Sequence, residues 1–298
     1  FLVDAANPAA AGKAIIYARA VDTEPIAQWL CQHEPGVALP YYRDLPGGDT
    51  KKKETLAAFS QGKVRILVVT PALSAGFDTD NVRTVSFFAI PPNLNIWTQL
   101  AGRGARRVGE RADIHVFWRP SDFSFFSVMY HDTVYIDKHE QQMVLGQVEE
   151  LWKFYTTPKC KRAWLAQHYG FELVDVCQEC SSCQKDHSSQ PKDITEYARA
   201  ILQRLADHTT PLLITHCAKL LRGRAGSSIK KDYAEQVREN MSLNEDMCVG
   251  ANDTALESML VWMVHEQLLT VIPSCSNKNV GFKVTPSTDG LRWLSKPT

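Results

Sequence analysis

The chain has 298 residues, of which 44% are hydrophobic and 22% charged. That is ordinary for a globular protein and sets an expectation of two domains at ~150 residues each. Basic and acidic residues number 33 each, so the formal net charge is zero. This balance does not favour a nucleic-acid partner, which must be argued from motifs instead. No apolar run approaches the ~20 residues of a membrane span, and Phe1 to Ala11 lacks the pattern of a signal peptide.

The first 120 residues alternate short apolar runs with helical patterns. Ala14-Ile-Ile-Tyr17 suits a buried strand. Thr23 then offers an N-cap, with Pro25 in the first turn and Ile26, Trp29 and Leu30 on one inward face. Asp49 or Thr50 caps a second helix, which carries Leu56 and Phe59 and stops at Gly62. Arg65–Thr70, Val82–Ala89 and Asp113–Trp118 read as further strands, and a helix starting near Asn93 carries Trp97. Strands separated by helices predict a mostly parallel sheet covered on both faces.

From residue 121 the pattern turns helical. Leu145, Val148, Leu151, Trp152 and Tyr155 form one stripe, and a second helix with Trp164 and Leu165 ends at Gly170. With a short link, the two are expected as an antiparallel pair. A polar, Ser-rich stretch from Cys183 to Lys192 reads as a linker. Asp193 or Thr195 then caps a helix with Ala198, Ile201, Leu202 and Leu205 inward. A second stripe lies around Leu220 and Leu221, and a third runs from Ala255 to Gln267 with Leu256, Met259, Leu260 and Met263 inward. Met241 to Thr254 has no period and reads as a loop. Leu268–Ile272, a turn at Asn277-Lys-Asn279 and Val280–Thr285 make a hairpin. Three helices followed by a hairpin is the order of a winged helix. The expected domains are 1–120, 121–187 and 188–298.

Four of the eight cysteines cluster: Cys160, then Cys177-Gln-Glu-Cys180-Ser-Ser-Cys183. Overlapping Cys-x-x-Cys steps put three thiolates on one tight turn, and Cys160 supplies a fourth. A closed four-sulfur shell suits structural Zn²⁺, with no open position for chemistry. Cys31, Cys217, Cys248 and Cys275 sit among apolar residues and read as small buried hydrophobes. The pattern fits a reducing compartment: nucleus in a eukaryote, cytoplasm otherwise, and not secretion.

The strongest catalytic pattern is Gln99-Leu-Ala-Gly-Arg-Gly-Ala-Arg106. Guanidinium groups stabilise the charge spread over a transferring phosphoryl group. On a helical turn, Arg103 and Arg106 would share one side. Gly102 permits close backbone approach, and Gln99 is suited to orienting water or coupling to a neighbour. Thr70-Pro-Ala-Leu-Ser-Ala-Gly-Phe-Asp78 follows a strand directly, and the carboxyl ends of parallel strands are where α/β sheets bind ligands. Thr70 is a candidate phosphate donor, and Asp78 a partner for ribose, a metal-bound water or an arginine. A local basic stripe of Arg222, Arg224, Lys230 and Lys231, with Ser227 and Ser228 beside it, has the chemistry of a phosphate contact. Lys278 lies in a hairpin tip without an aromatic, which reads as a contact rather than a wedge.

These motifs resemble the RecQ family of DNA helicases. The family pattern is kept at Thr70, Ala72, Gly76, Asp78, Val82, Arg83, Pro91, Gln99, Gly102, Arg103 and Arg106. The three-cysteine turn, preceded by Cys160, Lys161-Arg162 and His168-Tyr-Gly170, also resembles that family's zinc subdomain. The resemblance implies a RecA-like parallel-sheet domain, a helical four-cysteine zinc subdomain and a winged-helix DNA-binding domain. It implies that Arg103 and Arg106 reach across a cleft to ATP, with Gly76 and Asp78 on the nucleotide side and Thr70 on the DNA backbone. The implied activity is ATP-dependent 3′–5′ unwinding at single-strand/duplex junctions in repair and recombination.

The sequence departs from the pattern in places. Leu73, Ser74 and Ala75 replace an aromatic, Gly and Met. Ala105 replaces the second Gly of the arginine motif, Tyr17-Ala-Arg-Ala-Val21 loses a Ser and an Arg, and Arg43-Asp-Leu-Pro46 stands for His-Ala-Gly-Leu. These weaken DNA-contact and coupling positions more than the arginine pair. No Gly-x-x-x-x-Gly-Lys-Ser/Thr loop or Asp-Glu-x-His motif occurs. ATP and Mg²⁺ are therefore expected only with a first RecA-like domain as partner, and the chain alone is predicted inactive. The competing readings are a non-catalytic DNA- or partner-binding module and, more remotely, a related RNA helicase.

Overall fold

A computed structural model describes residues 12–71, 80–88, 90–107, 109–118, 122, 138–172, 176–184, 193–208, 210–223, 252–276 and 279–296. The chain divides into two compact units, Phe1–Asp122 and Phe123–Thr298.

The first unit is a five-stranded parallel sheet. Its strands are β1 (Lys13–Tyr17), β2 (Ala38–Tyr41), β3 (Ile66–Val69), β4 (Val82–Phe87) and β5 (Asp113–Val116), in the order β2-β3-β1-β4-β5. Ile15, Ile16, Tyr17, Leu67, Val68 and Val69 are almost wholly buried, because the central strands are covered on both faces; hence their unbroken apolar runs. On one face Ile16, Ala18, Ile66 and Val68 pack with Ala27 and Leu30 of α1 (Ala20–His33). On the other, Phe87 stacks between Tyr17 and Trp97, with ring centroids 5.2 and 5.8 Å away. Trp97 belongs to α3 (Leu94–Ala101), while α2 (Gly48–Ser60) buries Phe59 and Thr55.

Three details differ from the sequence expectation. Helix α1 starts at Ala20, ahead of Thr23, which is fully buried and donates its hydroxyl to the Ala20 carbonyl (2.8 Å). Its inward face is Thr23, Ala27 and Leu30. Trp29 lies about 100° from Leu30 and 200° from Ala27, so it is 56% exposed and stacks on His33 (4.4 Å). Helix α2 begins at Gly48 after Gly47, whose φ of 93° makes the entry turn, rather than at an Asp49 or Thr50 cap. Strand β2 has no strong sequence signal. It is short and contains Pro40, a residue a sheet admits at its edge, which is where β2 lies.

The second unit opens with α4 (Lys138–Thr156) and α5 (Lys161–His168). Val148, Leu151, Trp152 and Tyr155 are buried as their spacing predicts, and Phe154 joins them; the Leu145 side chain lies outside the described residues. Next come α6 (Thr195–Asp207), β6 (Leu212–Leu213), α7 (Ile214–Leu221), α8 (Asp253–His265), β7 (Leu269–Ser276), β8 (Asn279–Pro286) and α9 (Thr288–Leu294). The strands form an antiparallel sheet in the order β6-β8-β7. Ile201, Leu202, Cys217, Ala218, Leu221, Leu260, Met263 and Val284 have no exposed surface. Burial also pushes the Cys217 thiol up to about 12, as expected of a cysteine used as a hydrophobe. Trp152 meets Phe282 of β8 at 4.6 Å, tying α4 to the hairpin.

Strand β6 and helix α9 carry no clear sequence signal. Helix α9 is held by its surroundings: Arg199 donates to the carbonyls of Leu294 (2.9 Å) and Lys296 (3.0 Å) and lies over the Trp293 ring. No helix among the described residues is long and apolar enough to cross a membrane.

Gly290 tests this packing. In a helix, alanine normally gains about 1 kcal/mol over glycine. A Cβ at Gly290, however, would sit 2.1 Å from the Leu268 carbonyl oxygen. Gly290→Ala is therefore expected to destabilise the second unit by roughly 1–3 kcal/mol, read as a lower urea midpoint; a raised midpoint would contradict the contact.

Candidate functional site

The arginine motif begins in a well-fixed helix. The Asn93 side chain caps α3 by accepting the Ile96 N–H (2.9 Å), and Leu94, Trp97 and Leu100 point inward. Past Ala101 the chain tightens to i→i−3 bonds, from Arg103 N–H to the Leu100 carbonyl (3.2 Å) and Gly104 N–H to the Ala101 carbonyl (3.1 Å). It then leaves the helix, so Arg103 and Arg106 do not share a helical side. Arg103 is half-buried, whereas Arg106 is exposed, as is Gln99 on the last turn of α3.

The bend is moored to the sheet. The Ala105 N–H donates to the carbonyl of Val82, the first residue of β4 (3.1 Å), and Ala105 has a left-handed φ of 51°. Gly104 lies so close that a Cβ would come 2.7 Å from Ala112 Cβ and 3.3 Å from Val85 Cγ2. Charged groups bracket the other side. Glu110 accepts the Arg107 N–H (3.2 Å) with one oxygen and the Arg83 guanidinium (3.3 Å) with the other. Arg83 also donates to the Asn81 side chain (2.9 Å) and the Arg111 carbonyl (3.4 Å), and Arg107 pairs with Asp80. Sequence reading missed Asp80, Asn81 and Glu110, which look like ordinary loop polarity until the fold brings them together.

Thr70 is elsewhere. It follows Val69, whose β1 partner is Tyr17, whereas Val82 pairs with Lys13 at the other end of β1. Four residue steps in a strand separate these levels by roughly 13 Å. Thr70 and the arginine bend therefore occupy opposite edges of one sheet. Gly76 and Asp78 lie outside the described residues, as do Arg224, Ser227, Lys230, Lys231 and Lys278. Arg222 is described, and its guanidinium is engaged by Asp253 at the start of α8 (2.6 Å).

In the second unit the four predicted cysteines converge. The Sγ atoms of Cys160, Cys177, Cys180 and Cys183 all lie within 4.8 Å of one another. Cys180 is 3.5 Å from Cys183 and 4.0 Å from Cys160, and Cys177 is 4.0 Å from Cys183. Metal–sulfur bonds of ~2.3 Å in a tetrahedron give sulfur–sulfur edges of about 3.8 Å, whereas a disulfide needs ~2.05 Å. The set is therefore spaced to hold a metal ion.

Backbone amides also point at the sulfurs. Cys180 N–H donates to Cys177 Sγ (3.2 Å), Lys161 N–H to Cys180 Sγ (3.3 Å), and Cys177 and Ala163 N–H to Cys160 Sγ (3.4 and 3.5 Å). Burial raises the Cys180 thiol, but the Lys161 amide and the neighbouring thiols bring it down to about 6. Burial and the thiols of Cys180, Cys160 and Cys177 push Cys183 up to about 12. Negative charge accumulates as protons leave, and a divalent cation removes that obstacle. Behind the cluster, Lys161 Nζ donates to the carbonyls of Phe154, Tyr155 and Thr157 (2.9, 2.8 and 3.0 Å), closing the end of α4.

The chain is similar to known helicases. The model of the helicase conserved C-terminal domain matches residues 2–108. The ATP-dependent DNA helicase RecQ of Bacillus subtilis is 25% identical over 183 residues, covering 61% of this chain and 30% of that protein. Its Pasteurella multocida namesake is 26% identical over 208 residues, covering 68% and 31%. The ATP-dependent DNA helicase Q1 of Rattus norvegicus is 29% identical over 167 residues, covering 55% and 25%. The chain is thus similar to RecQ-type DNA helicases over 55–68% of its length. Its parallel sheet is the RecA-like fold of the helicase C-terminal domain, and the chain spans about a third of the length of the two bacterial RecQ relatives. The family match ends at residue 108, so it takes in the whole arginine bend and leaves out Glu110. Among solved structures, the E. coli DEAD-box protein SrmB is similar over 46% of this chain and 68% of that one, at 22% identity and a TM-score of 0.33.

The RecQ pattern carries glycine where this chain has Ala105. The left-handed φ of 51° gives the reason. That conformation costs an L-residue ~1–2 kcal/mol, and glycine loses about 0.5–1 kcal/mol of it to greater unfolded-state freedom. Ala105→Gly is expected to stabilise the first unit by about 0.5–1 kcal/mol, measured as a raised urea midpoint.

Proposed function

We propose that the chain is the nucleotide-completing and DNA-binding part of an ATP-dependent 3′–5′ DNA helicase of RecQ type. The observation that carries this reading is the anchored bend: the exposed Arg106, flanked by Ala105 bonded to the sheet and by Arg107, whose N–H is bonded to Glu110. Rigid presentation is what phosphoryl-transfer chemistry asks of an arginine, because the gain comes from charge already aimed at the transition state. In this reading Arg106 and Arg103 face ATP and Mg²⁺ held by a first RecA-like domain, while Gln99, Gly76 and Asp78 serve the same nucleotide side. Thr70, at the opposite sheet edge, serves the DNA backbone.

The tail is read as a structural zinc subdomain over 121–187 and a winged helix over 188–298, after a RecA-like domain over 1–120. Sulfur spacings near 3.8 Å and four directed amides support Zn²⁺ on Cys160, Cys177, Cys180 and Cys183. The order α6-β6-α7-α8-β7-β8, with the three strands in one antiparallel sheet, supports the winged helix. Its DNA contacts are assigned to Arg224, Ser227, Lys230, Lys231 and Lys278. Arg222, bound to Asp253, sets the start of that basic segment. A second reading, a DNA-binding module without a motor, is favoured by Leu73-Ser-Ala75 in the segment that follows β3 in sequence.

One substitution separates the two. In the full-length protein, Arg106→Ala is expected to lower kcat for DNA-stimulated ATP hydrolysis by about 10³-fold while oligonucleotide affinity persists. Unchanged turnover would leave only the module. For the metal, the purified chain is expected to retain one zinc through gel filtration. Cys180→Ser is expected to lose it and lower the thermal midpoint of the second unit; a metal-free chain of unchanged stability would rule the zinc assignment out.

A further inference from the structure

Arg106 lies between two anchors that differ in kind. On its amino side Ala105 is tied by a backbone bond to Val82. On its carboxyl side Arg107 is tied by its own N–H to a side chain, Glu110 (3.2 Å). Glu110 is only 15% exposed, and its second oxygen meets Arg83 (3.3 Å). Arg83 in turn reaches Asn81 and the Arg111 carbonyl, on the two chain segments that flank the bend. A Cβ at Gly12 would come 2.2 Å from Arg83 Cγ, so the neighbouring chain confines the arginine stem as well. The Glu110 side chain thus bonds both the bend and the sheet-borne arginine.

We infer that Glu110 is a positioning residue for Arg106, holding the carboxyl side of the bend so that the guanidinium stays aimed outward. The inference rests on the arginine reading proposed above. Its physical basis is a change of constraint. Without the Glu110 carboxylate the Arg107 N–H loses its acceptor and Arg83 loses its carboxylate; the Ala105 bond to Val82, the Glu110 N–H bond to the Arg107 carbonyl (3.0 Å) and the Arg107–Asp80 pair remain, and none of them fixes the Arg107 amide. A catalytic group displaced by about 1 Å can cost ~10²-fold in rate. Glutamine keeps an oxygen for the Arg107 N–H but not the charge that holds Arg83, so it restores the first bond alone.

The test is a double-mutant cycle in the full-length protein, with DNA-stimulated ATP turnover, KM for ATP and oligonucleotide affinity as readouts. Glu110→Ala is expected to lower kcat by about tenfold or more, with KM and affinity within about twofold. Glu110→Gln is expected to recover most of that loss. On an Arg106→Ala background, Glu110→Ala is expected to add nothing, because its effect passes through Arg106. If Arg106→Ala is inert, the arginine reading itself fails. If Arg106→Ala abolishes turnover but Glu110→Ala leaves kcat unchanged, or the two losses multiply, the positioning role is overturned on its own.

Discussion

A single backbone bond, Ala105 N–H to the Val82 carbonyl, decides how the helicase motif is displayed. Just past the end of α3 it turns the chain back onto the sheet at the start of β4. The cost is a left-handed Ala105, and the close approach requires glycine at position 104. Everything near the bend then conforms to that geometry. Arg83 is drawn along the sheet edge, Glu110 bridges it to Arg107, and Asp80 closes the circuit. These exposed and half-exposed ion pairs contribute little stability individually, since solvent screens them. Their effect is on direction: they restrict where the backbone on either side of Arg106 can go.

The second unit solves a different problem. Helix α5 has eight residues, none of them buried, and a helix that short is marginal alone. It is held from its first turn. Cys160 occupies the N-cap position and accepts the Ala163 amide, while Lys161 reaches back to three carbonyls ending α4. Trp164 then packs on Phe154 at 5.5 Å. Four thiols drawn together raise the cost of removing each successive proton, and a bound cation reverses the sign of that interaction. In the zinc reading, metal affinity and local folding are the same free energy, which is why chemistry at the cysteines bears on the helices before and after them.

Much of this was legible in the residues, and the failures have physical causes. Strands β1 and β3 announced themselves through unbroken apolar runs because both their faces are covered. Strand β2 did not, because an edge strand with Pro40 needs neither apolar continuity nor a full set of amide donors. Trp29 misled because an aromatic beside an apolar stripe looks inward until the true face, Thr23-Ala27-Leu30, is known. The four cysteines were readable because metal geometry constrains sequence spacing directly. The Glu110–Arg83 and Asp80–Arg107 pairs were not, since each joins residues 27 apart and local sequence holds no trace of such pairing. The arginine spacing suggested a shared helical side, and the left-handed residue between them removed it.

The separation of Thr70 from the arginine bend bears on how the proposed motor would transmit force. The two sit at opposite ends of strands whose residues Ile15, Val68 and Val85 have no exposed surface. Such a core is packed like a crystal and has two options when pushed: move whole or break. In the proposed helicase, a displacement imposed at the arginine end by nucleotide turnover would reach the Thr70 end as rigid-body motion of the sheet, with no relay of side chains needed between them. The segment from Thr70 to Asp80 is the covalent link between the two edges, and it is where this chain departs from the family at Leu73, Ser74 and Ala75. In the proposed helicase, those departures would alter how the carboxyl end grips DNA and leave the arginine geometry at the amino end untouched, because the anchors of that bend, Asp80, Val82, Arg83 and Glu110, all lie outside residues 73–75.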